Sequence, residues 1–189
     1  MESKKELRKR ILITRNNMDK EDVVSKSNMI MNKLTELEEY TKSNTVFVYM
    51  SFGNEVVTFE LVKRMLSENK RVVIPYTDTK NTVIIPSQLK SIEEDLVLSD
   101  FGYYEPVYDK INVVEPEEFD LIVTPGLVFD RQLNRVGFGK GYYDRILVRK
   151  RKDAKAIAVA FDFQVLDEVP SEEHDVKMDM IITEDKIYE

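Results

Sequence analysis

The sequence predicts an α/β fold in three layers, with a mainly parallel central sheet and helices on both faces. Three observations carry that expectation. Short apolar runs rich in β-branched and aromatic residues alternate with longer amphipathic segments. The first two runs are separated by one helix, the spacing of a βαβ unit, which favours parallel strands joined by a right-handed crossover. A glycine-rich turn follows another such run and opens a helix, at the kind of strand end where open α/β sheets bind ligands.

Residues 1–42 read as a helical segment packing on a single α/β domain that spans 1–189. Leu7, Ile11 and Leu12 share one face of a first helix, with Lys4, Lys5, Arg8 and Lys9 opposite. Asp19 fits as N-cap of a second helix whose apolar stripe is Val23, Ile30, Leu34 and Leu37. The period then changes. Thr45 to Met50 is a buried strand, followed by the loop Ser51-Phe52-Gly53-Asn54-Glu55 and a helix capped by Thr58. Arg71 to Ile74 forms the next strand, stopped at Pro75, and Thr82 to Ile85 adds another after a turn. Residues 87–119 give no clear pattern beyond a loop over 99–106. Leu121 to Thr124, Ala156 to Ala160 and Asp179 to Thr183 complete the strands, and a helix runs through Ile146 and Leu147. The whole reads as a Rossmann-like sheet. Loops at 51–55, 125–130 and 161–164 should surround the glycine turn in one crevice.

Composition narrows the function classes. With 42% hydrophobic and 33% charged residues the chain is a soluble globular protein, not a disordered one. A net charge of -7 opposes any general affinity for nucleic acid. The absence of cysteine excludes disulfides, thiolate catalysis and sulfur-ligated metals. A single histidine, His174, excludes a multi-histidine metal site. It sits among Glu172, Glu173 and Asp175 and reads as a solvated residue of raised pKa with no catalytic role. No apolar run reaches membrane-spanning length and no signal-peptide core opens the chain, so a cytoplasmic protein is expected.

The segment from Asn134 to Arg145, with Gly137, Gly139, Lys140 and Gly141 at its centre, is the most informative stretch. Glycines let the backbone turn sharply and approach a ligand. Successive N–H groups then form a concave anion site, the following helix start adds more, and Lys140 brings a full charge. These parts suit a polyphosphate. The Walker pattern is absent, because Gly141 stands where Ser or Thr would follow the lysine, and the third glycine comes one residue early for a dinucleotide fingerprint. The plain alternative is a tight strand-to-helix connection with an exposed lysine.

Pro125-Gly126-Leu127-Val128-Phe129-Asp130 together with the glycine run resembles the signature of the 5-formyltetrahydrofolate cyclo-ligases, also called methenyltetrahydrofolate synthetases. The opening Lys4 to Arg8, the loop Ser51 to Glu55, and Val169-Pro170 followed by His174 to Asp179 resemble the family in the same order. The resemblance implies a C–N bond-forming ligase. It would use ATP and Mg²⁺ to close 5-formyltetrahydrofolate to 5,10-methenyltetrahydrofolate, releasing ADP and phosphate. It implies folate and ATP as the small-molecule partners, with no nucleic acid, membrane or obligate protein partner.

Site residues follow from the same resemblance. Lys140 and Arg145 would be catalytic, with Lys140 neutralising charge as the γ-phosphoryl moves. Lys4, Lys5, Arg8, Asn134, Arg135, Gly137, Phe138, Gly139, Lys140, Gly141, Tyr142 and Tyr143 would form the ATP site. Met50, Phe52, Glu55, Phe129 and Tyr142 would meet the folate, with Glu55 accepting from pterin N–H groups. Asp144 and Asp175 would hold Mg²⁺, with Asp179 a lesser competitor for the second place. Each has an ordinary reading too. Lys4 and Arg8, one turn apart, also suit a solvated basic face. Asp144 offsets a helix dipole without any metal. Asp175 is one acid in an acidic loop. Phe52, Phe129, Tyr103 and Tyr104 could wall an aromatic pocket, but aromatics near strand ends are more often simply core. Adjacent helix residues point about 100° apart, so one of Tyr142 and Tyr143 is expected to face the site. Phe138 departs from relatives that carry arginine there, which removes a cationic contact. The alternatives to a ligase are a sugar-phosphate isomerase-like enzyme and a nucleotide-binding regulatory module on the same scaffold. An inactivated module should lack Lys140, Asp144 or Glu55, and all three are present.

Overall fold

A computed structural model describes residues 2–100, 102–172 and 175–189. His174 and Phe101 of the sequence reading lie outside the described residues. The chain begins with α1 (Lys4–Asn16), α2 (Lys20–Glu36) and the short α3 (Glu38–Thr41), then β1 (Thr45–Val48), α4 (Phe59–Ser67), β2 (Arg71–Asp78) and β3 (Val83–Leu89). The stretch that gave no clear pattern holds α5 (Ile92–Asp95), β4 (Leu96–Leu98) and β5 (Tyr104–Pro106). Next come β6 (Leu121–Thr124), β7 (Val128–Asp130), β8 (Arg135–Val136), α6 (Tyr142–Leu147) and β9 (Lys155–Val159). Three short strands close the chain: β10 (Val165–Leu166), β11 (Met180–Ile182) and β12 (Ile187–Tyr188).

Seven strands form the main sheet in the order β12-β11-β9-β6-β1-β2-β3. The inner pairs β2–β1, β1–β6, β6–β9 and β9–β11 are all parallel. Both edges are antiparallel, β3 on β2 and β12 on β11. Side chains alternate across this sheet with the period of two that a pleat imposes. Val46, Val48, Val72, Ile74, Leu121 and Val123 face a cluster with Ile30, Leu34, Leu61 and Met65 of α2 and α4. Phe47, Val73, Ile122, Ala156 and Ala158 face the opposite cluster with Ile146 and Leu147 of α6. A third cluster joins Leu7 and Ile11 of α1 to Val128 and Val136 on a small sheet ordered β10-β7-β8. Each fully buried aliphatic side chain contributes about 1.5–3 kcal/mol, so these two-sided strands explain why the fold is three layers deep.

Several local expectations change. β2 does not stop at Pro75 but runs to Asp78. Its ladder with β1 ends at Val73, and Pro75 pairs only with Pro86 across β3. The Pro86 carbonyl accepts from Val114 N–H on its outer side, so the missing proline N–H groups interrupt no bond between β2 and β3. Asp19 holds the N-cap position of α2 without a side-chain hydrogen bond, whereas Ser3 and Glu6 close a reciprocal capping box on α1. Thr58 does not cap α4 with its side chain. Its hydroxyl donates to the Tyr49 carbonyl at 2.7 Å and accepts from Ser51 N–H at 3.1 Å, while Ser51 Oγ accepts from Thr58 N–H at 3.1 Å. These bonds clasp the loop between β1 and α4.

Gly126 lies against the Phe129 ring, and an added Cβ would overlap that ring. Gly126→Ala is therefore expected to lower the unfolding free energy by about 2 kcal/mol, as overpacking does. Urea denaturation should show the loss, and Gly126→Ala combined with Phe129→Leu should recover most of it.

Candidate functional site

One cavity of about 270 Å³ opens at the C-terminal edge of the parallel strands. The glycine turn between β8 and α6 supplies one wall, through Gly137 to Gly141 and on to Tyr142, Tyr143 and Asp144. Lys4 and Arg8 of α1 face it, with Asp175. Tyr49, Met50, Phe52 and Glu55 come from the exit of β1. Pro75, Thr77 and Ile84 come from the β2–β3 hairpin where it projects beyond β1, and Tyr103 from the β4–β5 turn. Phe52 and Tyr103 meet with ring centroids 5.8 Å apart.

The turn is built to stay open. Gly139 and Gly141 hold φ of +92° and +67°, the left-handed region that side chains disfavour. Among the described residues, no protein acceptor takes the backbone N–H groups of Phe138, Gly139, Lys140 or Gly141. No side chain caps the start of α6. Unpaired backbone donors are costly unless solvent or a ligand meets them. Arginines brace the turn from below. Arg8 Nε donates to the Gly137 carbonyl at 2.7 Å. Arg135, with a side chain 4% exposed, donates to the Pro125 carbonyl at 3.2 Å and to Asp144 Oδ1 at 2.6 Å. Lys4 donates to Asp175 at 2.7 Å and to Glu172 at 3.0 Å. Burial pulls the Lys4 amine down, but those two carboxylates outweigh it and hold it above the usual lysine range.

Glu55, 5% exposed, is the deeply buried carboxylate of the cavity. It accepts a hydrogen bond from Phe52 N–H at 3.2 Å. Burial pushes its carboxyl up to about 7, with Arg15 and the Phe52 N–H pulling the other way. Tyr143 lies between site and core. Its ring is 6.0 Å from that of Phe47 and faces the Arg135 guanidinium at 5.8 Å. Burial and the nearby Glu55 raise its phenol far above the ordinary range, against Arg135.

The cavity thus gathers Lys4, Arg8, Arg135, Gly137, Phe138, Gly139, Lys140, Gly141, Tyr142, Tyr143, Met50, Phe52, Glu55, Asp144 and Asp175. Both tyrosines line it, where one was expected, because the left-handed Gly141 starts the helix directly at the rim. Four expected residues do not line it. Phe129 is fully buried against Gly126. The Asn134 side chain and N–H are tied to the buried Asp130 carboxylate. Arg145 turns outward and donates to the Thr82 and Lys140 carbonyls. Lys5 points to solvent from α1. The loop at 161–164 also stays outside, since Gln164 is spent on the Gly126 and Leu127 carbonyls. Asp179 is likewise elsewhere, accepting from Ala156 N–H and facing Lys150. Pro75 and Thr77 were missed because the strand was expected to stop at the proline.

The comparisons agree with this architecture. The sequence model of the 5-formyltetrahydrofolate cyclo-ligase family matches residues 1–184. The chain belongs to this family. It is 36% identical to the Mycolicibacterium smegmatis cyclo-ligase, over 74% of this chain and 73% of that one. The mouse cyclo-ligase is 30% identical, over 87% of this chain and 85% of its own. The NMR structure of the 5,10-methenyltetrahydrofolate synthetase of Aquifex aeolicus superposes with a TM-score of 0.84 at 34% identity, covering 97% and 91%. The structure of a 5,10-methenyltetrahydrofolate synthetase from Mycoplasma pneumoniae superposes with a TM-score of 0.78 at 26% identity, covering 97% and 99%. The protein is a ligase of folate and one-carbon metabolism, so the isomerase-like and non-enzymatic alternatives fall away. Among the described residues no helix is long and apolar enough to cross a membrane.

Asp144 is the only ion-pair partner of the buried Arg135 among the described residues. Asp144→Ala should therefore destabilise the protein by about 2 kcal/mol, the worth of a charged hydrogen bond with one partly exposed partner. Asp144→Asn should retain more than half of that stability in urea titrations.

Proposed function

We propose that the protein cyclises 5-formyltetrahydrofolate to 5,10-methenyltetrahydrofolate at the expense of ATP, with release of ADP and phosphate. One observation carries the reading: four N–H groups with no protein acceptor among the described residues, flanked by Lys140, Arg8 and Lys4, share a cavity with a buried carboxylate and an aromatic wall. The first half suits a triphosphate and the second a flat heterocycle rich in N–H donors.

A formamide carbon is a poor electrophile and its oxygen a poor leaving group. Transfer of the γ-phosphoryl to the formyl oxygen makes that oxygen a phosphate ester on an iminium carbon. N10 of the same folate then attacks the carbon, loses its proton, and the C–O bond breaks to release phosphate. The task of the chain is to hold the two reactants in line and to offset charge. The glycine turn would grip the phosphates through its N–H groups, and Lys140 would follow the charge of the moving phosphoryl. Arg8 and Lys4 would neutralise the remaining oxygens. Met50 and Phe52 would pack on the folate ring, and Glu55 would accept two of its N–H groups.

Asp144 and Asp175 would hold Mg²⁺. The donor set fits, because Mg²⁺ takes one or two carboxylates and draws its other ligands from phosphate and water. Asp144 uses Oδ1 on Arg135, while Oδ2 accepts no hydrogen bond among the described residues. Among the described residues no group of three or more potential ligands forms an all-protein cage, which suits an ion that arrives with nucleotide. When bound, the ion would shield the β- and γ-phosphate charges.

Near-ultraviolet absorbance of methenyltetrahydrofolate should rise only when 5-formyltetrahydrofolate, ATP and Mg²⁺ are all present. Lys140→Ala should cut kcat by roughly 10²-fold or more with an unchanged circular dichroism spectrum. Turnover near wild type in that variant would remove the phosphate assignment. The Glu55 carboxylate is the accepting form, and its carboxyl sits at about 7. Folate kcat/KM should accordingly fall as pH drops through that value. Glu55→Ala should raise the folate KM about tenfold or more, with a far smaller change for ATP. The reverse pattern would move the pterin pocket elsewhere.

A further inference from the structure

The last turn of α1 carries a charge that neither the glycine motif nor the proposed chemistry uses. Leu7, Ile11 and Arg15 are the buried residues of that helix, so a guanidinium occupies the third place of an apolar stripe. Arg15 is 4% exposed. Its Nη2 lies 3.9 Å from Glu55 Oε1, an ion pair too long for a hydrogen bond. Its Nε has no hydrogen-bond partner among the described residues. The guanidinium carbon sits 5.7 Å from the centroid of the Phe138 ring at the tip of the glycine turn. Asn54, next to Glu55, donates its amide to the Arg15 carbonyl at 2.9 Å and to the Met18 carbonyl at 3.0 Å. The loop bearing Glu55 is thus fastened to the end of the helix bearing Arg15.

A buried arginine with an unmade hydrogen bond beside a loosely paired buried carboxylate is costly, and two apolar residues would serve stability better. We infer that Arg15 is a positioning residue for folate: from the end of α1 it keeps the Glu55 carboxylate ionised and turned into the cavity, ready for the N–H groups of the pterin. The inference rests on the folate reading proposed above and assigns the residue that makes that reading work. The charged and titratable groups facing Glu55 are Arg15 from α1, Tyr49 from the end of β1 and Tyr143 from α6. Only Arg15 among them is a cation. Burial pulls its guanidinium below the ordinary range, opposed by Glu55 and Tyr49.

The test compares Arg15→Gln, Arg15→Met and Arg15→Lys with wild type in the full chain. Neither neutral variant leaves an uncompensated buried charge, because Glu55 can take up a proton, so both should fold. Folate kcat/KM is measured from about pH 6 to about pH 9. In the neutral variants the acid-side loss should move upward by about one pH unit. At neutral pH the folate KM should rise about fivefold, with the ATP KM within about twofold, and raising the pH should restore activity. Arg15→Lys should return the profile most of the way. An unmoved acid limb, or folate and ATP KM rising together, overturns the inference. The Glu55 titration can also be followed without substrate, as the infrared carboxyl signal that Glu55→Gln abolishes. That signal must move to higher pH in Arg15→Gln, and an unmoved signal overturns the inference. Wild-type protein that never turns over folate would sink the proposed activity, while the infrared arm would still decide the Arg15–Glu55 link.

Discussion

Backbone N–H groups kept without protein partners are the constraint around which this molecule is arranged. Such groups lose the free energy of a hydrogen bond whenever water is excluded, so a turn that presents four of them needs external support. The support is cationic and comes from two directions. Arg135 reaches up from β8 to the Pro125 carbonyl and Asp144, and Arg8 reaches across from α1 to the Gly137 carbonyl. The Arg135 Nη1 lies so close beneath Gly137 that an added Cβ there would come within 2.8 Å of it. The Gly137 carbonyl is thereby occupied by Arg8, while the N–H groups of residues 138–141 keep no protein acceptor among the described residues. Sheet order does the rest, since the parallel neighbours β1 and β6 release their loops on the same side.

Electrostatics in the other half of the cavity run against stability. At 3.9 Å the Arg15–Glu55 attraction is about 4 kcal/mol at an effective dielectric of 20. Removing two charges from water costs several kcal/mol for each. The pair does not return its own desolvation, and a group raised to about 7 is the consequence. Such an arrangement is what a polar ligand can relieve by supplying the donors that the protein withholds.

The sequence made the two-sided strands legible, because β1, β6, β9 and β11 are short apolar runs with turn residues at each end. It hid the sheet of β7, β8 and β10, whose strands of two or three residues are too short to show a period. It also hid the reach of β2, since Pro75 stops a strand only where its N–H is needed. Within the site, Lys4 and Arg8 came from the resemblance, since a spacing of one turn suits a solvated basic face at least as well. Phe129, Asn134 and Arg145 were drawn in by adjacency along the motif, and adjacency in sequence is not adjacency in space. Arg15 went unread although a charge four residues after Ile11 on a buried stripe was visible.

Lys4, Arg8 and Arg15 stand on nearly one line along α1, spanning about 16 Å of rise. A single stiff rod therefore gauges the separation between the phosphate-facing cations and the arginine beside the buried acid. Because each residue of a helix turns by about 100°, lengthening or shortening this rod by one position would throw the two groups out of alignment together. Natural variation in α1 should accordingly preserve its length between those cations more strictly than the identity of its solvent-facing residues.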